Sequence, residues 1–350
     1  MVMDPFVGVI GNTSVQAMLR NELASPAHAY LFVGPAQTGK ATVARRFAGA
    51  LLGEGEEGLR RVLGPGHPDV IVIEPSGRTS ITVDQVRSVV AQASLAPMES
   101  DRKVFLFEEG SMMNDEAANA LLKTLEEPTA TTVFVIVVES ENDLPETIAS
   151  RCRTVVFGRV AHDDLAEGLR EMGVETDQAD RVARISGGRP GLAIALATQS
   201  EVSGFRQAWL DVPASVTEDP GLSFRLADTV IAAADPLLAT IKERHTAERE
   251  DWDSGSKTAR ERQERELKRA AITLHISGLE MLAGVYRDIA AAQFGAQVHN
   301  TDLSPAALMR VTPRTAMRNA QRVLDTIDHL KANQRPGIAF ANLFCAIGAP

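Results

Sequence analysis

Tyr30-Leu31-Phe32-Val33-Gly34-Pro35-Ala36-Gln37-Thr38-Gly39-Lys40 is the stretch that decides the fold. An apolar run enters a turn bracketed by Gly34 and Gly39, and a helical pattern starts at Lys40. Strand, glycine-bracketed turn and helix start, in that order, are the context of a phosphate-binding loop. Its glycines let backbone N–H groups approach phosphate oxygens. The helix N-terminus favours negative charge, and a lysine at position 40 reaches the outer phosphates. The next position normally supplies a hydroxyl to magnesium, and here it is Ala41. Thr42 comes one residue late and, on a helix, points about 100° away. The loop can cradle phosphate without its metal ligand. The plainer alternative is a tight glycine turn kept for packing.

Working outward, Val70–Ile73, Val104–Phe107, Val133–Val138 and Thr154–Phe157 repeat the apolar run. Helical patterns separate them, at Ala41–Leu52, at Asp84–Ala93 and at Glu116–Leu125. Continuous apolar strands alternating with helices predict an α/β domain, a mainly parallel sheet buried on both faces. After residue 158 the strand pattern stops. Short helices are predicted at Asp163–Met172, Thr176–Ile185 and Pro190–Ala197, with Gly187-Gly188 breaking the last two apart. The remainder reads as helical, Pro213 and Pro220 marking a connection. Ile241–Arg269 is highly charged, with Glu261/Arg265 and Glu264/Lys268 at i,i+4 spacing and a loop at Asp253–Ser256. That run is read as a solvated helix face.

Composition narrows the function classes. The 350 residues carry a net charge of −10, which argues against a protein that coats DNA by itself. Cys152 and Cys345 are the two cysteines, too few for a four-thiolate zinc site or a disulfide framework. The start Met1-Val2-Met3-Asp4-Pro5 lacks a basic region followed by an apolar run, and no apolar stretch approaches the ~20 residues of a membrane span. A cytoplasmic protein is expected.

Phe105-Leu106-Phe107-Glu108-Glu109 closes one of the buried strands with carboxylates. In phosphate-loop ATPases an Asp at this place orders magnesium and a following acid polarises the attacking water. Glu108 carries its carboxylate about one methylene, roughly 1.5 Å, further forward, a displacement of the size that costs catalysis heavily. Two metal contacts, at Ala41 and at Glu108, are therefore altered. The alternative is that Glu108 and Glu109 only cap the strand end.

Asn119-Ala120-Leu121-Leu122-Lys123-Thr124-Leu125-Glu126-Glu127-Pro128, followed by Ser150-Arg151-Cys152, closely resembles the clamp-loader subunits of bacterial DNA polymerase III. Phe6–Gly11, His28-Ala29-Tyr30, His67-Pro68-Asp69 and the tail Leu330–Pro336 look like the same family, and the two histidine motifs point to its delta-prime type. The resemblance implies an AAA+ RecA-like domain over residues 1–158, a helical lid over 159–204 and a helical collar over 205–350. It implies that Arg151 acts in trans as an arginine finger on ATP held by a neighbouring subunit, where a planar, permanently charged fork stabilises the γ-phosphate. It also implies that Gly34, Gly39, Lys40, Ala41, Thr42, Glu108 and Glu109 form a degenerate nucleotide site for ATP and magnesium. The implied partners are gamma/tau motor subunits and delta in a pentamer, and through them the sliding clamp and primer-template DNA.

Several positions depart from the family. Gly53-Glu54-Gly55-Glu56-Glu57-Gly58 stands where many delta-prime subunits carry zinc cysteines, so no zinc is expected. Val138 takes the place of a polar sensor at the end of the fourth strand, and Pro190 falls where a lid arginine is expected, leaving Arg189 beside it. Cys152 is read as a small buried residue. The expectation is a delta-prime-type subunit without ATPase activity of its own; the alternative is an active gamma/tau-type motor.

Overall fold

The computed structural model describes residues 4–64, 66–75, 80–198, 200–239, 242, 257–332 and 334–348. They form two compact units, residues 1–194 and 195–350. The expected boundaries at 158 and 204 divide the chain more finely than these units do.

In the first unit five parallel strands, β1 (Ala29–Val33), β2 (Val70–Ile73), β3 (Lys103–Phe107), β4 (Thr132–Val138) and β5 (Arg153–Val156), lie in the order β2-β3-β4-β1-β5. All residues of β1, β3 and β4 are buried, as their unbroken apolar runs require. The edge strands β2 and β5 are partly exposed. Residues alternate strictly between two cores. Leu31, Phe105, Phe107, Phe134 and Ile136 face α4 (Val83–Ala93) and α5 (Asp115–Glu126) through Val86, Val89, Leu121 and Leu125. Tyr30, Phe32, Val104, Leu106 and Val135 face α1 (Thr13–Glu22) and α2 (Lys40–Leu51) through Leu19, Val43 and Phe47. This is the α/β class with a parallel sheet expected above, with the glycine turn at the C-terminal end of β1.

The segment Gly53–Gly58 is largely helical, in α3 (Gly55–Leu63). It is stitched to the sheet by polar groups. Glu54 accepts from Ser100 Oγ at 2.5 Å and lies 3.1 Å from His67 Nε2. The fully buried Asp69 accepts backbone N–H bonds from Met98, Glu99 and Ser100 at 2.6, 2.7 and 3.0 Å. Those three donors hold its carboxyl below the usual carboxylate range, against the opposing push of burial. The short four-residue helix α6 (Glu146–Ala149) precedes β5, and α7 (His162–Glu171), α8 (Thr176–Ser186) and α9 (Pro190–Thr198) follow it. Gly187 and Gly188 both have positive φ, 59° and 79°, and a Cβ on Gly188 would meet Val160 O at 2.7 Å. The break between α8 and α9 therefore needs glycine.

The described elements of the second unit are all helices, including α10 (Ser200–Leu210), α11 (Val212–Ser215), α12 (Pro220–Ala232), the long helix Lys257–Gln293, and helices Pro313–Lys331 and Pro336–Gly348. Pro220 and Pro313 open their helices behind Asp219 and Thr312, whose side chains accept N–H bonds of the first turn. Trp209, Tyr286, Phe340 and Phe344 are buried in the core. The predicted loop at Asp253–Ser256 and the pairs Glu261/Arg265 and Glu264/Lys268 lie outside the described residues and side chains. A buried polar clip ties the 299–302 segment down. Asp288 accepts from Asn300 N and Nδ2, both at 2.7 Å, and Arg206 Nη2 donates to Asn300 Oδ1 at 2.7 Å and Asp302 Oδ1 at 3.0 Å.

His275 sits edge-on to Phe340, ring centroids 5.5 Å apart, and its Nδ1 has no hydrogen-bond partner among the described residues. Burial pushes its pKa below the ordinary value, against a weaker pull from Asp235. The unfolded chain therefore binds a proton here at a pH where the folded chain does not. This contribution to stability is present above about pH 6.5 and is lost as pH falls from there toward the lower folded value, by at most about 1.4 kcal/mol per pH unit. Urea midpoints measured from pH 7.5 down to 5 should fall faster for the native chain than for His275→Phe; parallel curves would show that His275 does not titrate in this window. No helix among the described residues is long and apolar enough to cross a membrane.

Candidate functional site

The loop after β1 has the backbone that its glycines predict. Gly34 has φ 154°, and a Cβ there would stand 2.3 Å from Phe157 O, so no other residue fits without moving β5's exit. Gly39 caps α2 with φ 91°, and Gln37 also sits in the left-handed region at φ 63°. Thr38 is buried and donates its hydroxyl to Pro35 O at 2.8 Å. The loop is tied to its surroundings on two further sides. Asn12 donates to Thr38 O at 3.3 Å and accepts from Gly158 N at 3.2 Å, while Gly191 N, in the first turn of α9, donates to Gln37 O at 3.3 Å.

Lys40 turns inward. Its Nζ donates to Gly34 O at 2.5 Å and Pro35 O at 2.6 Å, and only 7% of the residue is exposed. Burial pushes its pKa down, partly offset by the charges of Glu139 and Asp143. Ala41 and Thr42 are both exposed on α2. Glu108, just past β3, does not stand open at the strand end. Arg45 of α2 grips it with two parallel bonds, Nε to Oε1 and Nη2 to Oε2, the second at 2.8 Å. Glu109 precedes a 3-10 turn at Gly110–Met112.

These donors do not fit a magnesium ion. Ala41 offers no oxygen, and the carboxylate that would face the metal is already paired with a guanidinium. Val138 ends β4 beside Val33 and is 2% exposed, so its position adds no polar group. Arg189 is half-buried and precedes α9, whose first residue is Pro190. The sequence reading missed Arg45. The available signal was its spacing: four residues after Ala41 puts it on the same side of α2 as the absent hydroxyl.

Arg151 lies elsewhere. It follows α6 and comes two residues before β5, whose Arg153 pairs with Tyr30 at the start of β1. The glycine loop leaves the other end of β1, about 13 Å away for four steps of ~3.3 Å. Arg151 and the loop thus sit at opposite strand ends of one sheet. The guanidinium is about one-third exposed, donates to Thr147 O at 2.8 Å and is paired with Glu126, the last residue of α5. Glu126 as its partner is a second residue not singled out from sequence. Cys152 packs against the core, and burial pushes its thiol up to about 12, well outside the range of a reactive thiolate.

Comparisons with known proteins find similarity mainly over the sheet-containing part of the chain. Residues 11–161 match the family model described as "DNA polymerase III, delta subunit". A DNA polymerase III subunit delta' of Pseudomonas aeruginosa is 42% identical over 139 residues, 37% of this chain and 42% of that protein. The subunit delta' of Bacillus subtilis is 32% identical over 167 residues, 45% of this chain and 50% of that protein. A subunit tau of the same organism is 30% identical over 184 residues, 49% of this chain and 32% of its own length. The chain spans about half or less of the length of these relatives.

Proposed function

We propose, from the match of residues 11–161 to the DNA polymerase III delta subunit family model, that this chain works as a delta-prime-type subunit of a clamp loader. Its part is to complete a neighbour's ATP site with Arg151 rather than to turn over ATP itself. The observation that supports this reading is the division of these residues between the two strand ends of the sheet. At one end the glycine loop, Lys40 and Glu108 are closed by the chain's own atoms. At the other, beyond reach of that loop, Arg151 is accessible with a partner, Glu126, that is itself half-exposed. A guanidinium so placed is out of reach of its own loop and open to a nucleotide brought by another subunit, where its fork would stabilise charge gathering on the transferred phosphoryl group.

The reading extends to the second unit, residues 195–350, as the collar that packs against motor and delta subunits in a pentamer. It extends also to a cytoplasmic role in placing the sliding clamp on primed DNA. A gamma/tau-type motor is the competing reading, since a subunit tau is among the relatives. The two are separated by the purified chain alone. No magnesium-dependent ATP turnover above background is expected, and a stable stoichiometric complex should form on mixing with delta and motor subunits. Turnover abolished by Lys40→Ala would establish the motor reading instead.

A further inference from the structure

In phosphate-loop ATPases a magnesium ion joins two elements through the nucleotide: a hydroxyl at the start of the helix after the loop, and a carboxylate at the end of another strand of the same sheet. In this chain the corresponding elements are α2 and β3, and the hydroxyl is gone. They are nevertheless joined by charge. Arg45 stands one turn beyond Ala41 on the same face of α2 and meets both carboxylate oxygens of Glu108 across 63 positions of sequence. The match is fork to fork, the strongest geometry available to such a pair, and the Glu108 side chain is 19% exposed.

We infer that Arg45 is a built-in cation standing in for the metal ion, so that the loop helix is braced against β3 with neither nucleotide nor magnesium. The lengthened side chain at 108 then has a reason: the added methylene carries the carboxylate out toward a guanidinium arriving from a neighbouring helix. Two other contacts that a nucleotide would make are closed in the same way. Lys40 spends its ammonium on the carbonyls of Gly34 and Pro35, and the first turn of α9 reaches the loop directly through Gly191 N and Gln37 O. A subunit built so keeps one shape through a neighbour's nucleotide cycle. The inference holds whichever clamp-loader role the chain plays.

Thermal unfolding of the full chain tests it. The native midpoint should move by less than about 1 °C in millimolar MgCl2, with or without ADP, whereas Arg45→Ala and Glu108→Gln should each lower it by about 2–4 °C. Arg45→Lys, which keeps charge but not the fork, should fall between. The double variant Arg45→Ala/Glu108→Gln should lose no more than either single one, because both remove the same interaction. MgCl2 or MnCl2 alone should restore part of the loss in Arg45→Ala, where Glu108 regains a cation, and none in the double variant. The inference is overturned by any one of three results: stabilisation of the native chain by magnesium and ADP, additive losses in the double variant, or failure of divalent cations to rescue Arg45→Ala.

Discussion

Arg151→Ala, built into a loader with native motor subunits, should slow ATP hydrolysis at one neighbouring site by on the order of 10³-fold while the complex stays assembled. The size follows from where the charge acts. A finger contributes chiefly in the transition state, so its loss appears in turnover more than in nucleotide affinity. Total turnover falls less than this if the other sites fire independently, and further if they are coupled. Arg151→Lys should recover only a fraction, since an ammonium lacks the bidentate fork. Glu126 supplies the control. If Arg151 matters only as the partner of that carboxylate, Glu126→Ala will give the same phenotype. If it works on a neighbour's nucleotide, Glu126→Ala will leave much of the turnover. Clamp- and DNA-stimulated hydrolysis in a complex of verified stoichiometry is the measurement; unchanged hydrolysis with Arg151→Ala would leave the arginine a local ion-pair partner.

The second large effect concerns the helical unit. Trp209 is fully buried, edge-on to Phe340 at 5.3 Å and to Phe205 at 6.4 Å. Gly278 of the long helix makes room for it, as a Cβ at 278 would stand 2.0 Å from Trp209 Cε2. Trp209→Ala should cost about 3–5 kcal/mol, a large share of the ~5–15 kcal/mol that holds a domain folded. Gly278→Ala should cost about 1–3 kcal/mol by overpacking. Combined with Trp209→Ala it should cost nothing and even stabilise by roughly 0.5–1 kcal/mol, because alanine is then the better helix residue. Trp209→Phe should be far milder, since the indole Nε1 is buried without a partner among the described residues and its removal forfeits no hydrogen bond. Urea unfolding followed by circular dichroism gives all four values, and additive losses would show that the glycine and the indole do not share one space.

What could be read in advance follows physical range. β1, β3 and β4 are buried on both faces, so their sequences are unbroken apolar runs and their places were legible. β5 begins one residue earlier than expected, at the exposed Arg153, because an edge strand need not be apolar throughout. α1 was missed: it is polar on average, and Asn12 just before it is in a left-handed conformation and gives no side-chain cap. α3 was not assigned from the sequence, and its capping residue Glu54 is fastened by Ser100 and His67 from distant positions. The glycine loop was legible because its geometry is local. Arg45 meeting Glu108, Arg151 meeting Glu126 and Gly278 meeting Trp209 were not, since each partner lies many residues away and nothing in either local pattern announces the other.

The separation of Arg151 from the glycine loop by the length of one strand has a consequence for order in an assembly. Subunits arranged head to tail present unlike surfaces to their two neighbours. A chain that can give a catalytic group at one end of its sheet but receive none usefully at the other breaks the equivalence of positions around such a ring. On the proposed role of Arg151, this chain would give a group to a neighbour's site and receive none at its own, and so would mark one end of such a series. A ring that contained it would thereby acquire a polarity, a first site and a last, from the chemistry of a single sheet's two ends.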